Sequence, residues 1–111
     1  MDKKEIKEIY KQRKITGGIY RVINVRNGKY LLNYSPDIRA KQNAFDFSIS
    51  SNIVFDVRLL ADWNALGGKG FRFEVLELLE KKKNQTIEQF TEDLKTLAQI
   101  WSEKLDPSLK Y

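Results

Sequence analysis

The chain has no histidine and no cysteine, and only two prolines in its 111 residues. Without histidine, the commonest general base and the commonest zinc ligand are missing together. Without cysteine, a disulfide scaffold and any thiolate metal site are excluded. Long apolar runs are missing too: none approaches the roughly 20 residues that a membrane-spanning helix needs. The opening Met1-Asp2-Lys3-Lys4-Glu5 carries both signs of charge and leads into no apolar stretch of the kind a secretory signal has. A cytoplasmic protein with no membrane partner is the resulting expectation.

What is present points to a packed globule. The hydrophobic fraction is 41%, with two Trp, five Tyr and six Phe, enough to bury one modest core in a single domain. The net charge is +5 and the isoelectric point about 9.4, compatible with a polyanion partner without requiring one. The distribution says more. Arg21, Arg26, Lys29, Arg39 and Lys41 face a single acid, Asp37, across one short stretch. A second cluster, Lys81-Lys82-Lys83, follows Glu77 and Glu80 and reads as solvated charge.

Residues 3–14 read as a charged helix with Ile6, Ile9 and Tyr10 on one stripe, ended by Gly17-Gly18. Ile19 to Asn24 has strand composition, Asn27-Gly28 is a hairpin turn signal, and Lys29 to Tyr34 is the return strand. Ser35-Pro36-Asp37 predicts a helix start with Ser35 as N-cap. That helix buries Ile38, Phe45 and Ile49, with Ala44 beside them, and breaks at Ser50-Ser51-Asn52. A second helix, about 56–66, turns Leu59, Leu60 and Trp63 inward and ends at Gly67-Gly68. Phe71 to Leu79 alternates as a third strand, with Glu74 and Glu77 expected in solvent. Thr86 and Gln89 form a capping-box pattern that opens a helix carrying Ile87, Phe90, Leu94, Leu97, Trp101 and Leu105. The order α-β-β-α-α-β-α predicts an α+β fold: one domain, with a three-stranded antiparallel sheet flanked by helices. Its expected parts are an N-terminal helical extension over 1–16, the domain over 17–106 and a tail over 107–111.

Four patches in this order carry a resemblance. Gly18-Ile19-Tyr20 is followed by Asn24 and Asn27-Gly28-Lys29. Leu59-Leu60-Ala61-Asp62-Trp63-Asn64-Ala65-Leu66-Gly67 precedes Phe71-Arg72-Phe73-Glu74-Val75. Ile100-Trp101 then precedes Lys104-Leu105. Together they resemble the GIY-YIG nuclease superfamily of phage homing endonucleases and UvrC-type excision nucleases, over roughly 17–106. The resemblance implies phosphodiester hydrolysis with one divalent cation. It implies two tyrosines handling the attacking water, an arginine on the next helix, and a glutamate three residues before the tryptophan of the last helix, holding the metal.

Position by position, most of that chemistry is missing. Tyr20 matches the first tyrosine. The second falls on Leu31, and strand alternation turns its neighbour Tyr30 to the other face; Tyr34 has no spacing in its favour. The arginine position holds Lys41, which keeps the charge but not the bidentate fork, and Arg39 points about 200° away round the helix. Phe45 and Val54 stand where many members have histidine. Ala98 stands at the metal-ligand position; Gln99 is a poor ligand for magnesium, and Glu103 points elsewhere. Removing one electrostatic stabiliser costs roughly 10²–10³ in rate, and several are gone here.

The expectation is therefore a catalytically inactive GIY-YIG-like domain with no cofactor. Its cleft is filled by apolar groups, and Tyr20 serves as core filling. Arg21, Arg26, Lys29, Arg39 and Lys41 form a candidate surface for DNA or RNA, against the plainer reading of ordinary surface charge. Two alternatives stand beside it: a divergent nuclease using magnesium or manganese, and a protein-interaction module using the filled cleft.

Overall fold

The computed structural model describes residues 16–111, so the helix expected over 3–14 lies outside the described residues. Strand β1 (Thr16–Asn24) leads through a tight turn to β2 (Tyr30–Ser35). Helix α1 (Ile38–Ser51), a 3-10 turn at Val57–Leu59 and helix α2 (Leu60–Leu66) follow. A second 3-10 turn at Gly68–Gly70 enters β3 (Phe71–Glu80), and α3 (Ile87–Lys104) precedes a last 3-10 turn at Pro107–Leu109. The sheet is antiparallel throughout, in the order β2-β1-β3. The α+β architecture is the one the sequence predicts.

Strand alternation divides the molecule into two cores. Tyr20 and Val22 face one side, with their register partners Asn33 and Leu31 on β2 and Val75 and Phe73 on β3. Helices α1 and α2 cover this side with Ile38, Phe45, Leu59 and Trp63. Ile19, Arg21 and Ile23 face the other side with Tyr34, Leu32 and Tyr30. There α3 packs Phe90 and Leu94 onto Ile19, with Leu32, Tyr34, Leu97, Ala98 and Trp101 around them. Leu76 is an extra residue on β3, because Ile19 pairs with Glu77 while Tyr20 pairs with Val75. This bulge re-phases the strand.

Several local expectations shift. Gly17 and Gly18 lie inside β1. A Cβ at Gly17 would lie 2.7 Å from the Ser35 carbonyl oxygen and 2.8 Å from Phe90 Cζ, so close packing requires the glycine. In the hairpin turn only Gly28 takes a positive φ, of 77°. Helix α1 starts two residues later than the Ser-Pro signal suggested, with Asp37 as the N-cap accepting from Ala40 N–H at 3.1 Å. Ser35 instead ends β2 opposite Gly18, its hydroxyl accepting from Asp37 N–H at 3.1 Å. α1 also runs through Ser50 and Ser51 to Asn52, whose left-handed φ of 56° closes it.

Leu60, expected inside, is exposed. The turn before it is 3-10, which advances side chains about 120° per residue instead of about 100° and so rotates the stripe. Ile87 is exposed at the first position of α3. Glu74 and Glu77 do not simply face water. Glu74 accepts from Arg21 Nε at 2.8 Å, and Glu77 accepts from Trp101 Nε1 at 3.0 Å. The capping box at Thr86 and Gln89 forms as predicted.

Residues 106–111 are bound onto the domain. Tyr30 donates its hydroxyl to the Asp106 carbonyl at 3.0 Å, and Tyr111 N–H donates to the Tyr30 carbonyl at 2.9 Å. This covers part of the free edge of β2, a position that otherwise leaves backbone groups unpaired.

Candidate functional site

Tyr20 sits in mid-strand on the central strand of the sheet and is 1% exposed. Its ring stacks on Phe73 with centroids 4.7 Å apart and meets Phe55 edge-on at 6.3 Å. Phe45 completes the cluster, 5.5 Å from Phe55 and 5.7 Å from Phe73. Such offset and edge-to-face pairs favour a fixed, dry arrangement. The phenol is pushed up to about 12, first by burial and then by the Asp56 carboxylate, with Arg58 and Asn33 opposing. Tyr20 thus stays neutral to a higher pH than a free tyrosine.

That shift has a consequence in alkali. An unfolded tyrosine ionises near 10, whereas folded Tyr20 ionises near 12. Its contribution is therefore complete below pH 10 and is lost as pH rises through 12, amounting to about 2–3 kcal/mol. The urea midpoint is expected to fall steeply between pH 10 and 12, and Tyr20→Phe to remove part of that fall, because Tyr111 is pushed up to about 12 as well. A midpoint that is flat across this window in the native protein would contradict the burial argument.

The family's other catalytic positions fall as follows. Leu31 is buried on the same face as Tyr20 and packs in its core. Tyr30 and Tyr34 are on the opposite face, Tyr30 bonded to Asp106 and Tyr34 packed beside Ile19, so neither brings a phenol to Tyr20. Lys41 and Arg39 are exposed on the first turn of α1. Phe45 and Val54 fill the space beside Tyr20. Ala98 packs with Ile19, Phe90 and Leu94, which puts the sheet between it and the aromatic cluster.

The basic residues do not gather on one face. Arg21 lies on the α3 side, paired to Glu74 at 2.8 Å. Arg26 and Lys29 belong to the hairpin turn, where the Lys29 ammonium stands 5.8 Å over the Tyr111 ring. Arg39 and Lys41 flank the other end of the sheet, on the side of Tyr20.

Sequence reasoning missed the connection between α1 and α2. Asp56 caps the 3-10 turn by accepting from Arg58 N–H at 2.9 Å. The same carboxylate takes Arg58 Nε at 3.0 Å and Nη2 at 2.8 Å. The Arg58 hydrogen bonds hold Asp56 below the usual carboxylate range, with Lys41 adding to the effect. Asp56 in turn raises Arg58, and both charges act on the Tyr20 hydroxyl. Asp-x-Arg at a helix start was the available local signal; its proximity to Tyr20 was not visible locally.

The resemblance implies a divalent cation, and the described residues at the matching positions do not fit one. Ala98 offers no donor, and Asp56 is committed through both oxygens to Arg58. Among the described residues, no three His, Cys, Asp or Glu side chains come together as a metal site.

A three-stranded antiparallel sheet in this order, covered by two helical elements on one face and a long helix on the other, is the GIY-YIG nuclease fold. A solved structure of a mutant catalytic domain of intron endonuclease I-TevI matches it with a TM-score of 0.59 and 18% identity, covering 82% of this chain and 84% of that one. The chain is a GIY-YIG nuclease-like domain in its fold. No family model and no curated protein sequence matches it. Among the described residues, no helix is long and apolar enough to cross a membrane.

Proposed function

We propose that this domain no longer cleaves nucleic acid and instead binds its phosphate backbone through basic side chains, Lys41 and Arg39 on the side of Tyr20 and Lys29 and Arg26 at the hairpin. The observation that carries the loss of activity is the sealing of Tyr20 by Phe45, Phe55 and Phe73. A phenol whose ring is stacked in the core and whose ionisation is pushed up to about 12 is a poor activator of an attacking water. The exposed cations and the excess positive charge support backbone contact, which needs positive groups and little else. The nuclease-like fold supports the same ligand class.

Supercoiled plasmid incubated with magnesium or manganese is expected to remain intact. Metal-dependent nicking that Tyr20→Phe abolishes would overturn the proposal. Binding to duplex DNA is expected to weaken with salt, and neutralising Lys29 or Lys41 to flatten the logarithmic salt slope by about 0.9 each. Absence of binding at low salt favours a second reading, a protein contact. The solvent-exposed Phe47, Ile53, Val57 and Leu60, clustered in sequence across α1 and α2, would then be its natural surface.

A further inference from the structure

The family position for a phosphate-gripping arginine carries Lys41, which cannot present a planar fork. Yet an arginine does reach the surroundings of Tyr20, from a different element. Arg58 stands at the 3-10 turn before α2, its side chain 52% exposed, and its charge is felt at the Tyr20 hydroxyl. Asp56 engages it side-on, through Nε and one hydrogen of Nη2. A guanidinium has five N–H donors in a rigid plane, so Nη1 keeps both of its hydrogens and Nη2 keeps one. All three point away from Asp56. The backbone cap from Asp56 to Arg58 N–H closes the same short loop, so the side chain is already ordered before any ligand arrives.

An exposed ion pair of this kind contributes little stability by itself, about 0–1 kcal/mol, so stability gives weak reason for its geometry. The three N–H donors that Asp56 leaves unused on an exposed, oriented guanidinium point instead to a ligand. Lys41, on the first turn of α1, adds a second cation whose charge helps hold Asp56 below the usual carboxylate range.

We propose that Arg58, oriented by Asp56 and assisted by Lys41, is a phosphate-binding site that grips the non-bridging oxygens of a nucleic-acid backbone phosphodiester. This rests on the reading of the domain as a nucleic-acid binder. Arg58 and Lys41 touch the ligand; Asp56 is a positioning residue. The fork has moved from α1 to the corner before α2, and the lysine remains as a point charge.

The test measures anisotropy of a short labelled DNA duplex with the full chain, across a salt series. Arg58→Ala is expected to weaken binding about 10-fold at low salt, the scale of one charge-assisted contact of about 1.5 kcal/mol. Arg58→Lys keeps the charge and loses the fork, so binding should weaken while the salt slope stays that of the native chain. Asp56→Asn separates positioning from bulk charge. It raises the net charge by one, which by attraction alone would tighten binding, whereas loss of orientation weakens it. Arg58 is exposed and asparagine can cap the turn in place of Asp56, so these variants should melt close to the native protein. Native binding with Arg58→Ala within about twofold of it, or tightening by Asp56→Asn, overturns this site and leaves the backbone-binding reading standing. A native chain that does not bind at low salt overturns both.

Discussion

Phe90→Ala is expected to lower the unfolding free energy by about 3–5 kcal/mol, the usual cost of removing a fully buried aromatic from a core that cannot collapse around the gap. Phe90 is 0% exposed and lies one turn into α3, where its ring edge comes up against the bare Cα of Gly17. It is one of three fully buried residues that join α3 to the sheet, with Ile19 and Leu94. A domain of this size has only about 5–15 kcal/mol in total, so the loss should be visible as a large drop in urea midpoint. It should also loosen α3 first, with faster amide exchange in 87–104 than around Tyr20. Gly17→Ala added to Phe90→Ala should not restore the loss, because the Ser35 carbonyl oxygen still stands 2.7 Å from the new methyl. Equal exchange in the two cores, or a loss below about 1 kcal/mol, would contradict the two-core description.

Asn24→Ala is expected to cost about 2–4 kcal/mol, because a fully buried amide here serves three partners. Asn24 is 0% exposed. Its Nδ2 donates to Asp62 Oδ2 at 3.2 Å and to the Tyr111 hydroxyl at 3.0 Å, while its Oδ1 accepts from Arg26 N–H at 2.9 Å. The Tyr111 hydroxyl donates in turn to Asp62 at 2.6 Å. One side chain therefore joins the hairpin turn, helix α2 and the end of the described chain. Tyr111→Phe should cost less, about 1 kcal/mol, since Asn24 still reaches Asp62. Combining the two changes should cost less than their sum, since they remove members of one network. Additivity within about 0.3 kcal/mol would show that the three groups act separately.

The parts of the fold that were legible in the sequence are those set by neighbours along the chain. The capping box of Thr86 and Gln89 forms because both partners lie within one helical turn. The hairpin forms where Gly28 supplies the one positive φ the turn requires. The stripe of Phe90, Leu94, Leu97 and Trp101 predicted which face of α3 meets the sheet. Local signals misled where two competed. Ser35 looked like a cap, but it is the last paired residue of β2, opposite Gly18, and Asp37 took the role. Leu60 fitted the helical stripe until a 3-10 turn rotated it outward. The clasp between Asn24, Asp62 and Tyr111 left no sequence signal, since its members lie 38 and 87 residues from Asn24.

By itself the sequence determined which chemical groups the domain has. It fixed the absence of every imidazole and thiol, and it put leucine at 31, lysine at 41, phenylalanine at 45 and alanine at 98. No folding can supply a donor that the chain does not carry. Only the tertiary structure decided where the remaining groups meet. It set Tyr20 and Ala98 on opposite faces of one sheet, packed Phe55 and Phe73 against the Tyr20 ring, and placed the Asp56–Arg58 pair where its charges act on the phenol. The physical reason is the parity of strands. Which residues share a core depends on strand register and on the bulge at Leu76, and these follow from long-range packing rather than from any short stretch of sequence.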